Sequence, residues 1–336
     1  MLEQTGIPLA PFTTLGLGGP AARLVTAYDE TEIVAAVRAA GDDALVLGGG
    51  SNVVLPDEGV DGTVVRIASR GVQVERDGDD VIVEAAAGED WDALVAHCVG
   101  DHLVGIEALA GIPGLVGATP VQNVGAYGQD VSQTVVSVRA YDRRADEVVT
   151  LTDLGFAYRW SRLKAEAGRW VVLAVTYRLS DEPLGRAIRY PELARALGVE
   201  VGDRVPVGDV REAVLRLRRG KGMVLDPADP DTRSAGSFFT NPLVAPGAVP
   251  AGAPSYPDTN GRVKVPAAWL IEQAGFAKGA FDGPVGISTK HTLALVNRGG
   301  GTTADLLRVA RVVRDGVRER FGIELVPEPV LVGATL

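Results

Sequence analysis

Apolar and polar positions change their period several times along this chain, and each change marks an element. Residues 22–26 form a short apolar run, and 30–40 carry Ile33, Val34 and Val37 at helical spacing. The run 44–47 predicts a buried strand, followed by Gly48-Gly49-Gly50-Ser51-Asn52 and a second apolar run at 53–55. Residues 64–67 predict another strand. Residues 72–75 and 81–85 flank the polar stretch 76–80, a hairpin signal. Residues 89–99 set Trp91, Leu94, Val95 and Cys98 on one helical face, and 135–141, 148–151 and 170–179 predict three strands. Residues 181–207 read as a polar connection holding Arg189-Tyr190-Pro191-Glu192-Leu193. Helices are predicted at 210–217 and 267–274 and a strand at 292–297. A long amphipathic helix is predicted at 304–321, which Thr302 or Thr303 would cap and Gly322 would end. Residues 323–332 are extended. No internal repeat or low-complexity tract interrupts the pattern, and the class is α+β with at least two lobes.

Composition narrows the function classes. A length of 336 residues suits two or three domains, and 46% hydrophobic with 23% charged residues is ordinary for a globular protein. The net charge of −10 speaks against a nucleic-acid binder, because the phosphate backbone demands a basic surface. Small phosphate ligands stay open, since backbone amides and a few cations suffice for them. With Cys98 the single cysteine, no internal disulfide and no cysteine-based metal site are expected, and a reducing cytoplasm fits. The first twelve residues lack a charged stretch and a long apolar stretch, so no signal peptide is expected. Residues 108–129 carry no formal charge. They nonetheless hold five Gly, two Pro, Gln122, Asn123 and Gln129, which suits a binding loop better than a membrane span.

Four segments carry candidate chemistry. Residues 48–52 are a glycine loop after a buried strand, able to turn N–H groups onto a phosphate; a plain tight turn is the other reading. A dinucleotide fingerprint would open a helix, whereas here an apolar strand-like run follows. Residues 111–128 hold Gly111, Gly114, Gly117, Gly125 and Gly128, which permit close approach to something flat or anionic, with Thr119, Gln122 and Asn123 to orient polar edges. Residues 156–164 are aromatic and basic. Residues 234–242 set Ser237 before Phe238 and Phe239, and Phe239 stands where a nucleophile elbow would need glycine, so hydrolase chemistry is disfavoured.

These segments, with Pro327-Glu328-Pro329, resemble in order and spacing the UDP-N-acetylenolpyruvoylglucosamine reductase (MurB) family, in the form with a tyrosine-bearing substrate loop. The motifs run from 48 to 329. The resemblance implies a two-subdomain FAD-binding fold of the vanillyl-alcohol-oxidase (PCMH) type plus a C-terminal α/β substrate domain. Residues 1–66 and 67–209 would be the FAD-binding subdomains, 210–322 the substrate-binding domain, and 323–336 a segment returning to the active site. It implies an oxidoreductase of peptidoglycan synthesis, serving cell wall, shape and division in the cytoplasm. NADPH would donate hydride to a non-covalent FAD, and UDP-N-acetylglucosamine enolpyruvate would be reduced to UDP-N-acetylmuramate, as a monomer or weak oligomer.

Residue by residue, the resemblance makes Ser237 the proton donor to C2, Arg159 the partner of the substrate carboxylate, and Glu328 the catalytic glutamate. Gly48, Gly49, Gly50, Ser51 and Asn52 would hold the flavin pyrophosphate. Gly111, Ile112, Gly114, Gly117, Ala118, Thr119, Gln122, Asn123, Gly125, Ala126, Tyr127 and Leu173 would line the rest of the cofactor; for Tyr127 a core aromatic is the other reading. Lys221 would meet the substrate diphosphate, a solvated helix end being its alternative. Tyr190, Tyr158, Asn241 and His291 would contact substrate, with core packing open for His291. After Tyr190 the family usually has glycine, and this chain has Pro191. Another flavoenzyme of the same superfold and a nucleotide-sugar sensor without catalysis are the competing readings, and intact Ser237, Arg159 and Glu328 argue against both.

Overall fold

A computed structural model describes residues 1–78, 80–258 and 261–336. Its contacts divide the chain into two units, Met1–Ile7 with Ala21–Gly49 and Asp61–Gly220, and Pro8–Pro20 with Gly50–Val60 and Lys221–Leu336.

The first unit is organised by Trp170–Asp181, whose residues 171–175 are all buried, as a strand covered on both faces requires. It pairs antiparallel with Val135–Asp142 on one side and Asp80–Ala86 on the other, and Glu147–Leu151 and Val72–Asp77 complete the sheet. Leu103–Val104 pairs with its far end. The expected 76–80 turn includes Asp79, which lies outside the described residues. A four-stranded sheet runs in the order Leu2–Pro8, Pro20–Ala27, Val60–Ile67, Leu45–Leu47. Helix α1 (Glu30–Ala40) begins where the Asp29 carboxylate accepts from the Glu32 N–H, and it buries Ile33, Ala36 and Val37 while Val34 is half-buried. Helix α2 (Trp91–Gly100) buries the face that its spacing predicts: Trp91, Leu94, Val95 and Cys98. Burying each such side chain contributes about 1.5–3 kcal/mol. The short helix α3 (Arg162–Ala165) is capped by Ser161. The polar connection contains a helix that its sequence did not predict, α4 (Pro191–Leu197), and α5 (Val207–Gly220) runs across the expected domain edge at 209.

The second unit packs around Phe238, Phe239, Leu270, Ile271, Ile287, Leu306 and Val313. Helix α6 (Ala267–Gln273) and helix α7 (Thr303–Phe321) cover this core beside the hairpin of Val285–Ile287 with Leu295–Asn297. Of the two candidate caps, Thr302 is the one used, in a capping box with Asp305. The Thr303 hydroxyl instead donates to the Leu55 carbonyl, and the Asp57 carboxylate accepts from the Thr303 and Ala304 N–H groups at 2.7 and 2.9 Å. The apolar run after the glycine loop becomes the two-residue strand Val53–Val54, which pairs in parallel with Val330–Leu331. No helix among the described residues is long and apolar enough to cross a membrane.

Candidate functional site

In the first unit the glycine-rich segment is pinned along its length. Trp91 N–H donates to the Gly114 carbonyl, Val116 N–H to Glu89 and Gly117 N–H to Ala87, and the Asp92 carboxylate receives the Gly111 N–H at 2.7 Å. Gly49 comes against this segment so closely that a Cβ there would stand 2.8 Å from the Gly114 Cα. Among the described residues, and apart from its own chain neighbours, the Cβ position of Gly48 meets only a Leu115 methyl, at 3.9 Å. Two backbones thus meet with no side chain between them, and room is left beside Gly48, the setting in which main-chain amides can serve an anion. A flavin nucleotide fits such a cradle, with the Ile112 side chain and Gln122 half-buried along the segment.

The other expected cofactor residues differ in what they offer. The Thr119 hydroxyl is buried and bonded to the Val116 carbonyl and the Tyr177 hydroxyl, and Leu173 is buried in its strand with its carbonyl bonded to the Ala87 N–H. Ala118 is exposed; Ala126 forms a tight hairpin in which Gly125–Ala126 pairs with Gln129–Asp130. Gly50, Ser51 and Asn52 belong to the second unit. There Gly50 has a φ of +61°, and a Cβ on it would strike the Phe12 carbonyl. Asn52 receives the Val330 N–H on its carbonyl and donates from Nδ2 to the Glu328 carbonyl.

Arg159 is held by main-chain carbonyls. Its Nη1 and Nη2 donate to the carbonyls of Asn123 and Gly125 at 3.3 and 2.8 Å, and its own carbonyl accepts from Lys164 Nζ. Asn123 returns the tie, donating to the Ala157 carbonyl and accepting from the Ser132 N–H. Asn123, Tyr127 and Arg159 have φ of +49°, +49° and +52°, left-handed values that cost energy in residues with a Cβ. Such strain persists only where the surroundings enforce it, and it concentrates at functional sites. The Tyr158 ring, partly exposed, lies under the Arg159 guanidinium, and Tyr127 meets Tyr190 edge-on at 5.6 Å between centroids. Burial pushes the Tyr127 hydroxyl up to about 12.

Sequence reasoning missed Arg218. It ends the buried stripe of α5 and is almost wholly enclosed; loss of water brings its pKa down to about 10, against the raising influence of Tyr127 and Asp92. It therefore stays charged at neutral pH, in the electrostatic field of Tyr127 and Arg159. Its only signal was a cation at a helical core position, hidden in Arg218-Arg219-Gly220-Lys221.

The second unit brings Ser237 and Glu328 together. Phe238 N–H donates to Leu293, Thr240 N–H to Val326 and Glu328 N–H to Phe238, while Phe239 bridges Pro327. The segments around Ser237 and Glu328 are thereby paired, and both residues are half-buried. The Asn241 side-chain carbonyl accepts the Ala267 N–H at the start of α6. Lys221 and His291 are half-buried, and the His291 N–H donates to the Ser288 hydroxyl.

Comparison with known proteins adds the following. The family model for the C-terminal domain of UDP-N-acetylenolpyruvoylglucosamine reductase matches residues 227–332, and an FAD binding domain matches 21–152. The chain is 57% identical to the UDP-N-acetylenolpyruvoylglucosamine reductase of Thermobifida fusca (strain YX), over 98% of each chain. It is 56% identical to that of Streptomyces coelicolor, over 99% of this chain and 91% of the relative. The crystal structure of the reductase (MurB) from Thermus caldophilus superposes with a TM-score of 0.68 at 26% identity, covering 98% of this chain and 99% of that one.

Proposed function

Because the chain belongs to the UDP-N-acetylenolpyruvoylglucosamine reductase family, and is thus an FAD-dependent oxidoreductase, we propose that it reduces UDP-N-acetylglucosamine enolpyruvate to UDP-N-acetylmuramate with NADPH. The reaction is a step of peptidoglycan precursor synthesis in the cytoplasm. FAD, held by residues 48–52 and 111–127, would supply two-electron hydride chemistry between NADPH and C3 of the enolpyruvyl group. We assign FAD binding to the subdomains 1–66 and 67–209, substrate recognition to 210–322, and to 323–336, which carries Glu328, a return to the active site.

The protein's own residues handle the charge and the proton. Hydride addition at C3 drives negative charge into the conjugated carboxylate, and fixed donors stabilise such charge best because they need no reorganisation. Arg159, already held by two carbonyls, presents a planar fork suited to a carboxylate. Glu328, when protonated, donates a hydrogen bond to the same developing charge. Ser237 delivers its hydroxyl proton to C2. A hydroxyl is a weak acid, but the carbanion is a strong base, so placement carries the transfer. Lys221 meets the diphosphate, Tyr190, Tyr158, Asn241 and His291 contact the substrate, and residues 48–52 with 111–127 serve the flavin.

The observation that supports this reading most is the pairing of the Ser237 and Glu328 segments, Glu328 N–H to Phe238 carbonyl at 2.8 Å. It puts a proton donor and a second acid on one scaffold, which a simple oxidase does not need. An anaerobic titration tests the reading. The flavin band is expected to bleach with NADPH and return on adding UDP-N-acetylglucosamine enolpyruvate; a band that bleaches but does not return points to another acceptor.

A further inference from the structure

We propose that Glu107 is a positioning residue, whose buried carboxylate clamps the base of segment 182–206 and so holds Tyr190 against Tyr127. The inference rests on the reading above, in which Tyr190 contacts the substrate.

Glu107 is completely enclosed, at 0% exposure. It opens the short turn Glu107–Leu109, immediately before the glycine-rich segment. One carboxylate oxygen accepts the Gly105 N–H at 2.6 Å and the other accepts the Arg186 N–H at 3.1 Å. A buried carboxylate is tolerable only with such donors. These two amides belong to different stretches of chain. Gly105 follows Leu103–Val104 and Arg186 follows Trp170–Asp181, where the two strands pair at Val104 with Ser180. The carboxylate thus ties the start of the glycine-rich segment to the start of 182–206. Gly185 makes this possible: a Cβ there would stand 3.0 Å from the Glu107 oxygen and 3.2 Å from the Val205 carbonyl.

From this base the segment climbs as a narrow ladder. Gly185 N–H donates to Val205, Ile188 N–H to Asp203 and Gly202 N–H to Ile188, and Arg204 Nε donates to the Gly185 carbonyl. At the tip, Arg189 lies against Gly128, its Cβ 3.1 Å from where a Cβ on Gly128 would be, and the Tyr190 ring meets Tyr127. The base of the ladder sets the place of its tip. Tyr190 is read as a substrate contact and not as a reacting group, so displacing the tip weakens substrate binding and leaves the chemical step unchanged.

Glutamine cannot replace this carboxylate. Two N–H donors face it, and an amide offers one oxygen and one NH₂, so a donor would confront a donor. Glu107→Gln and Gly185→Ala strain the clamp from its two sides. Loss of one buried hydrogen bond is expected to raise the KM for UDP-N-acetylglucosamine enolpyruvate about tenfold in each variant. Flavin reduction by NADPH and kcat should stay within about twofold. Amide exchange should quicken at 185–190 and 202–205 while 81–86 and 171–175 remain protected. An unchanged KM, a parallel fall in flavin reduction, or exchange that quickens throughout the unit overturns the proposal. If the wild-type protein does not turn over that substrate at all, the functional reading falls, and the exchange pattern alone decides whether Glu107 is the clamp.

Discussion

The main-chain N–H of Glu328 donates to the carbonyl of Phe238 at 2.8 Å, which joins two residues ninety positions apart in the chain and ties Glu328 to the immediate neighbour of Ser237. The bond is main-chain to main-chain, so substituting either side chain leaves it intact. Side-chain chemistry at the two positions can therefore be probed without dismantling their scaffold.

Ser237→Ala is expected to leave flavin reduction by NADPH near the wild-type rate and to slow reoxidation by the enolpyruvyl substrate by about 10²–10⁴-fold, the usual loss for a positioned general acid. Stopped-flow absorbance of the two half-reactions separates them. Equal loss in both would remove Ser237 from the proton-transfer role.

Gly49→Ala would put a methyl 2.8 Å from the Gly114 Cα, against backbone that cannot swing aside. Overpacking of this kind costs roughly 1–3 kcal/mol. The expected outcome is weaker retention of FAD, read as flavin released on gel filtration, with the strands of the first unit still formed by circular dichroism. Full flavin occupancy in this variant would mean that the 48–49 turn does not serve the cofactor.

Asp142 should make part of the stability acid-sensitive. The Arg169 guanidinium, bonded to it at 3.0 and 3.1 Å, holds its carboxyl at about 2, with the Arg144 and Ala145 N–H groups assisting against burial. An unfolded aspartate titrates near ~3.9. The pKa is lowered by folding, so the contribution is complete above about pH 4 and is lost as pH falls through about 2. Denaturant midpoints of the wild type and Asp142→Asn should differ most above that window and converge below it. A gap at pH 2 as large as that at neutral pH would show that the ion pair is not its source.

What was readable along the chain was whatever its neighbours in sequence decide. The helices α1, α2 and α7 follow from apolar residues at helical spacing, and α7 also from a capping threonine and a terminating glycine, because their hydrogen bonds close within one turn. The strand runs of the larger sheet followed from continuous or alternating apolar positions for the same local reason. The order of the motifs was enough to suggest the family. Only the tertiary structure decided what distant segments do to each other. Val53–Val54 finds its partner in Val330–Leu331, which no local pattern encodes. The helix 191–197, by contrast, has local signals that the reading of 181–207 as a polar connection passed over: Pro191 at its start, Leu193 and Leu197 four apart, and Gly198 at its end. Arg218 and Glu107 are charged residue types, and residue type alone predicts solvent; their burial is set by α5 packing and by amides from 105 and 186. The left-handed backbones of Asn123 and Arg159 are likewise held by groups distant in sequence: the Asn123 carbonyl accepts from Arg159, and the Asn123 side chain bonds the Ala157 carbonyl and the Ser132 N–H.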